Sequence, residues 1–251
     1  MIYFVGAGSG APDLITVRGA RLLGQADVIV YAGSLVNPAL LDYKKEGCAV
    51  YDSAKMTLEQ VIAVMAPAAK AGKTVVRLHT GDPCVYGAHR EQMDELDRLG
   101  LAYEVCPGVS SFCGAAAALR AEYTLPGVSQ TVILTRMEGR TPVPEREQIE
   151  ALAAHGATMV LFLSAGMLDK LAARLIAGGY APDTPAAIVY KATWPDEKVV
   201  RTTVAELAEA AAREGITKTA LITVGGFLGD AYERSRLYDP SFSTGLREAS
   251  R

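Results

Sequence analysis

The chain has 251 residues, 50% hydrophobic and 21% charged, with a net charge of −3. That composition suits a globular protein of one large domain or two of about 120 residues, and it excludes the general basic field of a nucleic-acid reader. Four cysteines (Cys48, Cys84, Cys106 and Cys113) share no Cys-x-x-Cys spacing, and no apolar run approaches the length of a membrane span, so neither a zinc site nor a membrane protein is expected.

Apolar residues 2–5 form a first strand and stop at Gly6-Ala7-Gly8. The run is too short for a secretion signal. The thiols are therefore expected to be reduced and the chain cytoplasmic. Residues 13–25 follow as a helix, with Leu14, Val17, Ala20, Leu22 and Leu23 on one face. Strands are expected at 28–31 and 48–51. Thr57 and Gln60 then form a capping box for a helix reaching about residue 71. A strand at 74–78, a helix over 88–99 and a strand at 102–105 complete a first α/β half, residues 1–115.

The stretch "PGVSSFCGAAAALRAEYTLPGVSQ" changes character and marks a seam. Alternation resumes in a second half, 116–240. Strands are expected at 132–134, 159–163, 186–190, 199–202 and 220–224, with helices at 145–154, 168–177 and 205–213. Thr203 and Glu206 suggest a second capping box. A strand directly after "TWPDEK" suggests a hairpin, hence a mixed second sheet. Residues 241–251 form a polar, frayed tail.

Three loops invite a phosphate reading, and each fails it. "GAGSGA" at 6–11 follows a strand, as a dinucleotide fingerprint should. Pro12 and Asp13 intrude before the helix, however, and the second strand ends "VIVYAG" with no acid for a ribose hydroxyl. "PAAKAGKT" imitates a Walker loop but runs from helix into strand, and reads as a helix ending at Gly72. "TGDPCVYG" at 80–87 carries an acid that would repel phosphate. An ionised Asp82 suits a ligand with a cation or hydroxyls, or else an Asp-Pro turn that caps the next helix. Cys84 in this loop is either a nucleophile or a small filler. His79 and His89 flank the loop, as substrate contacts or as ordinary hydrogen-bonded side chains.

Taken in order, "VGAGSGAPDLITVRGARLL", "GDPCVYG", "PGVSS", "MVLFLSAGML", "TPAAIVYKATWPDEKVVR" and "TALITVG" resemble the tetrapyrrole (corrin/porphyrin) methylase family over residues 2–230. The resemblance implies two α/β domains with a ligand cleft between them and a homodimer. It also implies methyl transfer from S-adenosylmethionine, leaving S-adenosylhomocysteine, to a carbon of a tetrapyrrole ring. "VIVYAGSLV", "DSAKMTLEQ" and "SQTVILTRMEGRTPVPE" resemble the branch that methylates carbon 11 of a corrin precursor during cobalamin ring synthesis.

Motif by motif, the resemblance places Pro12, Gly81, Asp82, Pro83, Val85, Tyr86, Ser110 and Ser111 on the cofactor. From the second half it adds Leu163, Ala187, Ala220 and Leu221 around the adenine. Substrate carboxylates call for arginine forks. Arg136 and Arg140 are the chosen pair, ahead of Arg18, Arg77, Arg90 and Arg120. Tyr31 and Glu138 are candidates for steering a proton or the ring tautomer, and Asp82 and Tyr31 are the catalytic candidates. No metal, nucleic acid or membrane partner is implied. Three readings stay open beside this one: another ring carbon of a precorrin or uroporphyrinogen, an NAD(P)-dependent oxidoreductase using "GAGSGA", and a non-catalytic adenosyl-ligand sensor.

Overall fold

In the computed structural model, which describes residues 1–250, the chain divides into two compact units. Met1–Ala115 with Lys191–Glu197 form one, and Ala116–Tyr190 with Lys198–Arg251 form the other. The first is built on short apolar runs. β1 (Ile2–Gly6), β2 (Val28–Tyr31), β3 (Ala49–Asp52), β4 (Val75–His79) and β5 (Tyr103–Cys106) pair in the order β3-β2-β4-β1-β5. All the pairings are parallel. Parallel strands are covered on both faces, which is why β4 is buried at every position. One face packs Val5, Leu22, Leu23, Ile29 and Leu78. The other packs Ile2, Phe4, Val30, Met65 and Leu96.

The first helix is shorter than its periodicity suggests. Pro12–Leu14 forms a 3-10 turn, and α1 begins at Val17. Thr16 is extended, and its side chain accepts from the Gly19 amide, so it caps the helix and stops it from growing backward. The inward face is therefore Gly19, Leu22 and Leu23, whereas Val17 is 89% exposed. α2 (Leu58–Lys70) starts at the expected capping box, with Thr57 and Gln60 exchanging both bonds, and Gly72 follows its end at φ +76. α3 (Arg90–Arg98) follows, and the boundary with the second unit, after Ala115, falls within α4 (Ser111–Leu119).

That unit carries β6 (Val132–Arg136), β7 (Thr158–Phe162), β8 (Pro185–Tyr190), β9 (Lys198–Thr203) and β10 (Ala220–Val224), in the order β6-β7-β10-β8-β9. β6 and β7 are parallel, and the remaining pairings are antiparallel. The sheet is mixed, and β8–β9 is the expected hairpin. α5 (Ile149–Ala153), α6 (Leu168–Ala177) and α7 (Leu207–Arg213) pack on Met159, Leu161, Ile188 and Ile222.

Two expectations fail here. The helix over 145–154 is a 3-10 turn at Glu145–Glu147, an extended Gln148, and only then α5. The Thr203–Glu206 box does not form. Thr203 is the last residue of β9, paired with Pro185, and Glu206 is the N-cap of α7 without a side-chain bond. The sheet ladder takes the residue that the cap would need.

The Thr57 box predicts a local cost. Thr57→Ala should lower stability by about 1 kcal/mol, measured as an earlier midpoint in urea unfolding with unchanged slope.

Candidate functional site

In the first unit, β1, β4 and β5 are neighbours, so the loops leaving their carboxyl ends meet. In parallel α/β sheets this is where ligands bind. The meeting is backbone to backbone. A Cβ on Gly6 would lie 2.6 Å from Gly108 Cα and 2.7 Å from the Gly81 carbonyl oxygen, and one on Gly108 would lie 2.3 Å from that oxygen. No side chain fits at either place. A two-residue bridge, Gly8 with Gly81, continues the pairing beyond the strands, and Gly81 takes φ +61.

Asp82 holds this junction. Its Oδ1 accepts from the Cys84 amide at 2.8 Å and its Oδ2 from the Gly108 amide at 2.7 Å. Burial works to raise its pKa, but the hydrogen bonds from Cys84 and Gly108, helped by His89, hold the carboxyl below its ordinary value. A lowered pKa keeps the carboxyl ionised at neutral pH. Both oxygens are already engaged by main-chain donors, which makes Asp82 a brace between the "GDPCVYG" and "PGVSS" loops. Cys84 is exposed, and its hydrogen bond with Asp82 raises the thiol pKa further from ionisation. The neutral thiol that results is a poor nucleophile.

Beyond Asp82 the loop is strained: Tyr86 and Ala88 sit at φ +54 and +46, each at a cost of about 1–3 kcal/mol. A buried chain of hydrogen bonds holds its end. Arg77 Nε donates to Gln92 Oε1 at 3.0 Å, and Gln92 Nε2 donates to the Ala88 carbonyl at 3.0 Å. Arg77 is buried, which pushes its pKa down to about 10. It is therefore a brace and presents no fork to a substrate. His79, 3% exposed, lies against Phe4 and His89. Burial first, then the fields of Arg77 and His89, push its pKa down to about 3. Among the described residues its Nε2 has no hydrogen-bond partner. His79 is a core residue, and His89 is half-buried beside it.

Pro12, which opens the 3-10 turn, and Tyr31, which ends β2, are half-buried; Ser110 is buried and Ser111 half-buried at the start of α4. A Cβ on Gly81 would lie 3.4 Å from the Ser111 amide nitrogen, so Gly81, Asp82 and the two serines are one cluster. Three further side chains, none singled out in the sequence, hold other loops of this unit: Asn37 and Thr193 bond the Gly10–Ala11 peptide, and Asp52 the loop after β2. Asp52 Oδ1 accepts from the Gly33 and Ala54 amides, tying "AGSLV" to "DSAK". Short polar side chains of this kind are common in turns, so the sequence around them gave no sign of these partners.

In the second unit Leu163 follows β7 at φ +53 and is 63% exposed, a strained apolar residue on the surface. Ala220 and Leu221 lie at the start of β10 and are nearly covered. Ala187 is fully buried in β8, so its side chain presents no surface. Arg136 is already committed. Its guanidinium donates to the carbonyls of Met137, Thr141 and Pro142, which shapes the "MEGRTP" turn around its own side chain. Arg140 is exposed on that turn and Glu138 half-buried. Of the other arginines, Arg90 pairs with Asp94, Arg120 is exposed at φ +51, and Arg18 lines a separate groove of about 380 Å³ with Arg21 and Glu104.

The strand order also removes the dinucleotide reading. That motif needs β2 beside β1, so that an acid at its end reaches the ribose. Here β4 lies between them.

Residues 1–208 match the family described as Tetrapyrrole (Corrin/Porphyrin) Methylases. The chain belongs to that family, and it is a methyltransferase. It is 53% identical over 249 residues to the cobalt-precorrin-4 C(11)-methyltransferase of Methanocaldococcus jannaschii, covering 99% of this chain and 96% of the relative. Among solved structures, a cobalt precorrin-4 methyltransferase of cobalamin biosynthesis superposes with a TM-score of 0.89 at 52% identity, over 91% of this chain and 96% of the other. The uroporphyrin-III C-methyltransferase of Thermus thermophilus, complexed with S-adenosylhomocysteine, matches with a TM-score of 0.75 at 28% identity, over 90% and 92%.

The buried His79 sets an acid limit. Its folded pKa of about 3 lies below the ordinary 6.5. The unfolded chain therefore takes up a proton between those values that the folded chain refuses. Its contribution is complete above about pH 6.5 and shrinks as pH falls toward 3, by at most about 1.4 kcal/mol per pH unit. Urea unfolding across pH 4 to 7 should show a flatter stability profile for His79→Phe than for the unsubstituted chain.

Proposed function

We propose that this chain methylates carbon 11 of precorrin-4, or of its cobalt form, in the building of the cobalamin corrin ring. The observation that carries the reading is the near-full-length identity with relatives named for that reaction. The glycine junction at the strand ends supports it.

S-adenosylmethionine supplies a methyl group on a positive sulfur, already activated for in-line displacement by an electron pair of the ring. The residues present fit such a ligand. Gly6, Gly81 and Gly108 deny the site any side chain where the loops meet, leaving main chain to approach the ligand. The ionised Asp82 gives that floor a negative edge, which suits a cation and would repel the phosphates of a dinucleotide.

The protein's task is then to align two reactants and exclude water. On this reading Pro12, Gly81, Asp82, Pro83, Val85, Tyr86, Ser110 and Ser111 line the methionine and ribose portion. Leu163, Ala187, Ala220 and Leu221 are the adenine candidates that the family resemblance names in the second unit, and of these Ala187 is fully buried. Asp82 acts through the loops it braces, as a positioning residue. Of the carboxylate-binding candidates, Arg140 is the more available, because Arg136 spends its donors on its own turn. Tyr31 and Glu138 remain the candidates for steering the ring tautomer. We expect a cytoplasmic homodimer, as in the family that the sequence resembles.

Calorimetric titration with S-adenosylhomocysteine, with NADP in parallel, tests the cofactor assignment. Micromolar binding of the first and none of the second is expected. Binding of NADP alone would overturn the reading.

A further inference from the structure

One short loop outside the motif-derived site holds the Gly-rich turn in place. The hairpin loop Lys191–Glu197 groups with the first unit. Within it, Thr193 sits at φ +68. That is an outlier for a β-branched side chain, which Gly or Asn would occupy more readily. Its hydroxyl accepts from the Ala11 amide at 2.9 Å and shares a hydrogen bond with Ser9 Oγ at 3.1 Å.

The same peptide unit is gripped from its other side. The Gly10 carbonyl, in plane with the Ala11 amide, accepts from Asn37 Nδ2 at 2.9 Å. Asn37 is itself oriented, because its Oδ1 accepts from the Ala39 amide at 3.1 Å. One peptide plane, immediately before Pro12, thus has both of its polar groups fixed by side chains.

The surroundings leave no slack. A Cβ on Gly10 would fall 2.2 Å from Trp194 Cδ1, and one on Gly114 would fall 2.7 Å from Ser9 Cβ. The hairpin loop is stiffened from within. The Glu197 carboxylate accepts from the Thr193 amide at 2.5 Å, and Lys191 pairs with Asp196 at 2.6 Å while lying 5.2 Å from the Trp194 ring centre. Strain at a residue whose hydroxyl has two partners points to a geometry that is being enforced.

We propose that Thr193, with Asn37 opposite it, is a positioning residue that fixes the Gly10–Ala11 peptide so that the Ala11–Pro12 main chain meets the adenosyl ligand in one orientation. This rests on the assignment of Pro12 to the cofactor.

The test compares Thr193→Val, which keeps the shape and loses the hydroxyl, with Thr193→Ser, which keeps the hydroxyl. Two readouts are taken far below the melting temperature: calorimetry with S-adenosylhomocysteine, and hydrogen exchange of the Ala11 amide. Thr193→Val should weaken binding about tenfold, in the range of one lost buried hydrogen bond, and should speed exchange at Ala11. Thr193→Ser should stay within about twofold of the unsubstituted chain on both. Unchanged affinity in Thr193→Val, or unchanged protection of Ala11, overturns the proposal. If the unsubstituted chain itself fails to bind, the cofactor assignment falls, and the exchange of Ala11 still decides whether Thr193 fixes that peptide.

Discussion

The contact of Gly6, Gly81 and Gly108 is the constraint on which the first unit depends. Three strands deliver three loops to one place, and the main chains touch there without intervening side chains. Everything nearby serves that approach. Asp82 ties two of the loops through their amides, the Gly8–Gly81 bridge ties the third, and Thr193 and Asn37 fix the turn that follows β1. A junction of bare main chain offers amides and carbonyls at close range, which is how a protein holds a small polar ligand without long, mobile side chains.

Holding such loops requires support from below. Arg77 and Gln92 lie buried under the end of the "GDPCVYG" loop, and a buried cation with no carboxylate partner among the described residues is an unusual occupant. Non-glycine residues in left-handed conformations recur at loops that the functional reading uses: Tyr86, Ala88, Leu163 and Thr193. Strain persists where surrounding structure over-determines it, and around Ala88 and Thr193 the over-determining hydrogen bonds are visible. The outcome is a rigid floor suited to a reaction that needs alignment more than acid–base help.

Much of this was legible in the sequence, for identifiable reasons. Short apolar runs located every strand to within two residues, and "GDPCVYG" stood out because an acid between Gly and Pro at a strand exit suits either a ligand or an Asp-Pro turn. The misreadings share a cause: a local pattern lost to a tertiary demand. Periodicity carried α1 back to residue 13, but Thr16 was needed as its cap. Thr203 had cap chemistry but belonged to the sheet. Thr193 and Asn37 left no signal, because their partners are main-chain groups far away in sequence, and main-chain groups look alike in every residue.

The account stands on where the methyl group goes. The direct measurement is turnover of precorrin-4 with S-adenosylmethionine labelled with carbon-13 in its methyl group, followed by carbon NMR of the product. A single labelled methyl on carbon 11 is the predicted result. A label on any other ring carbon, or none with authentic substrate and bound cofactor, would contradict it.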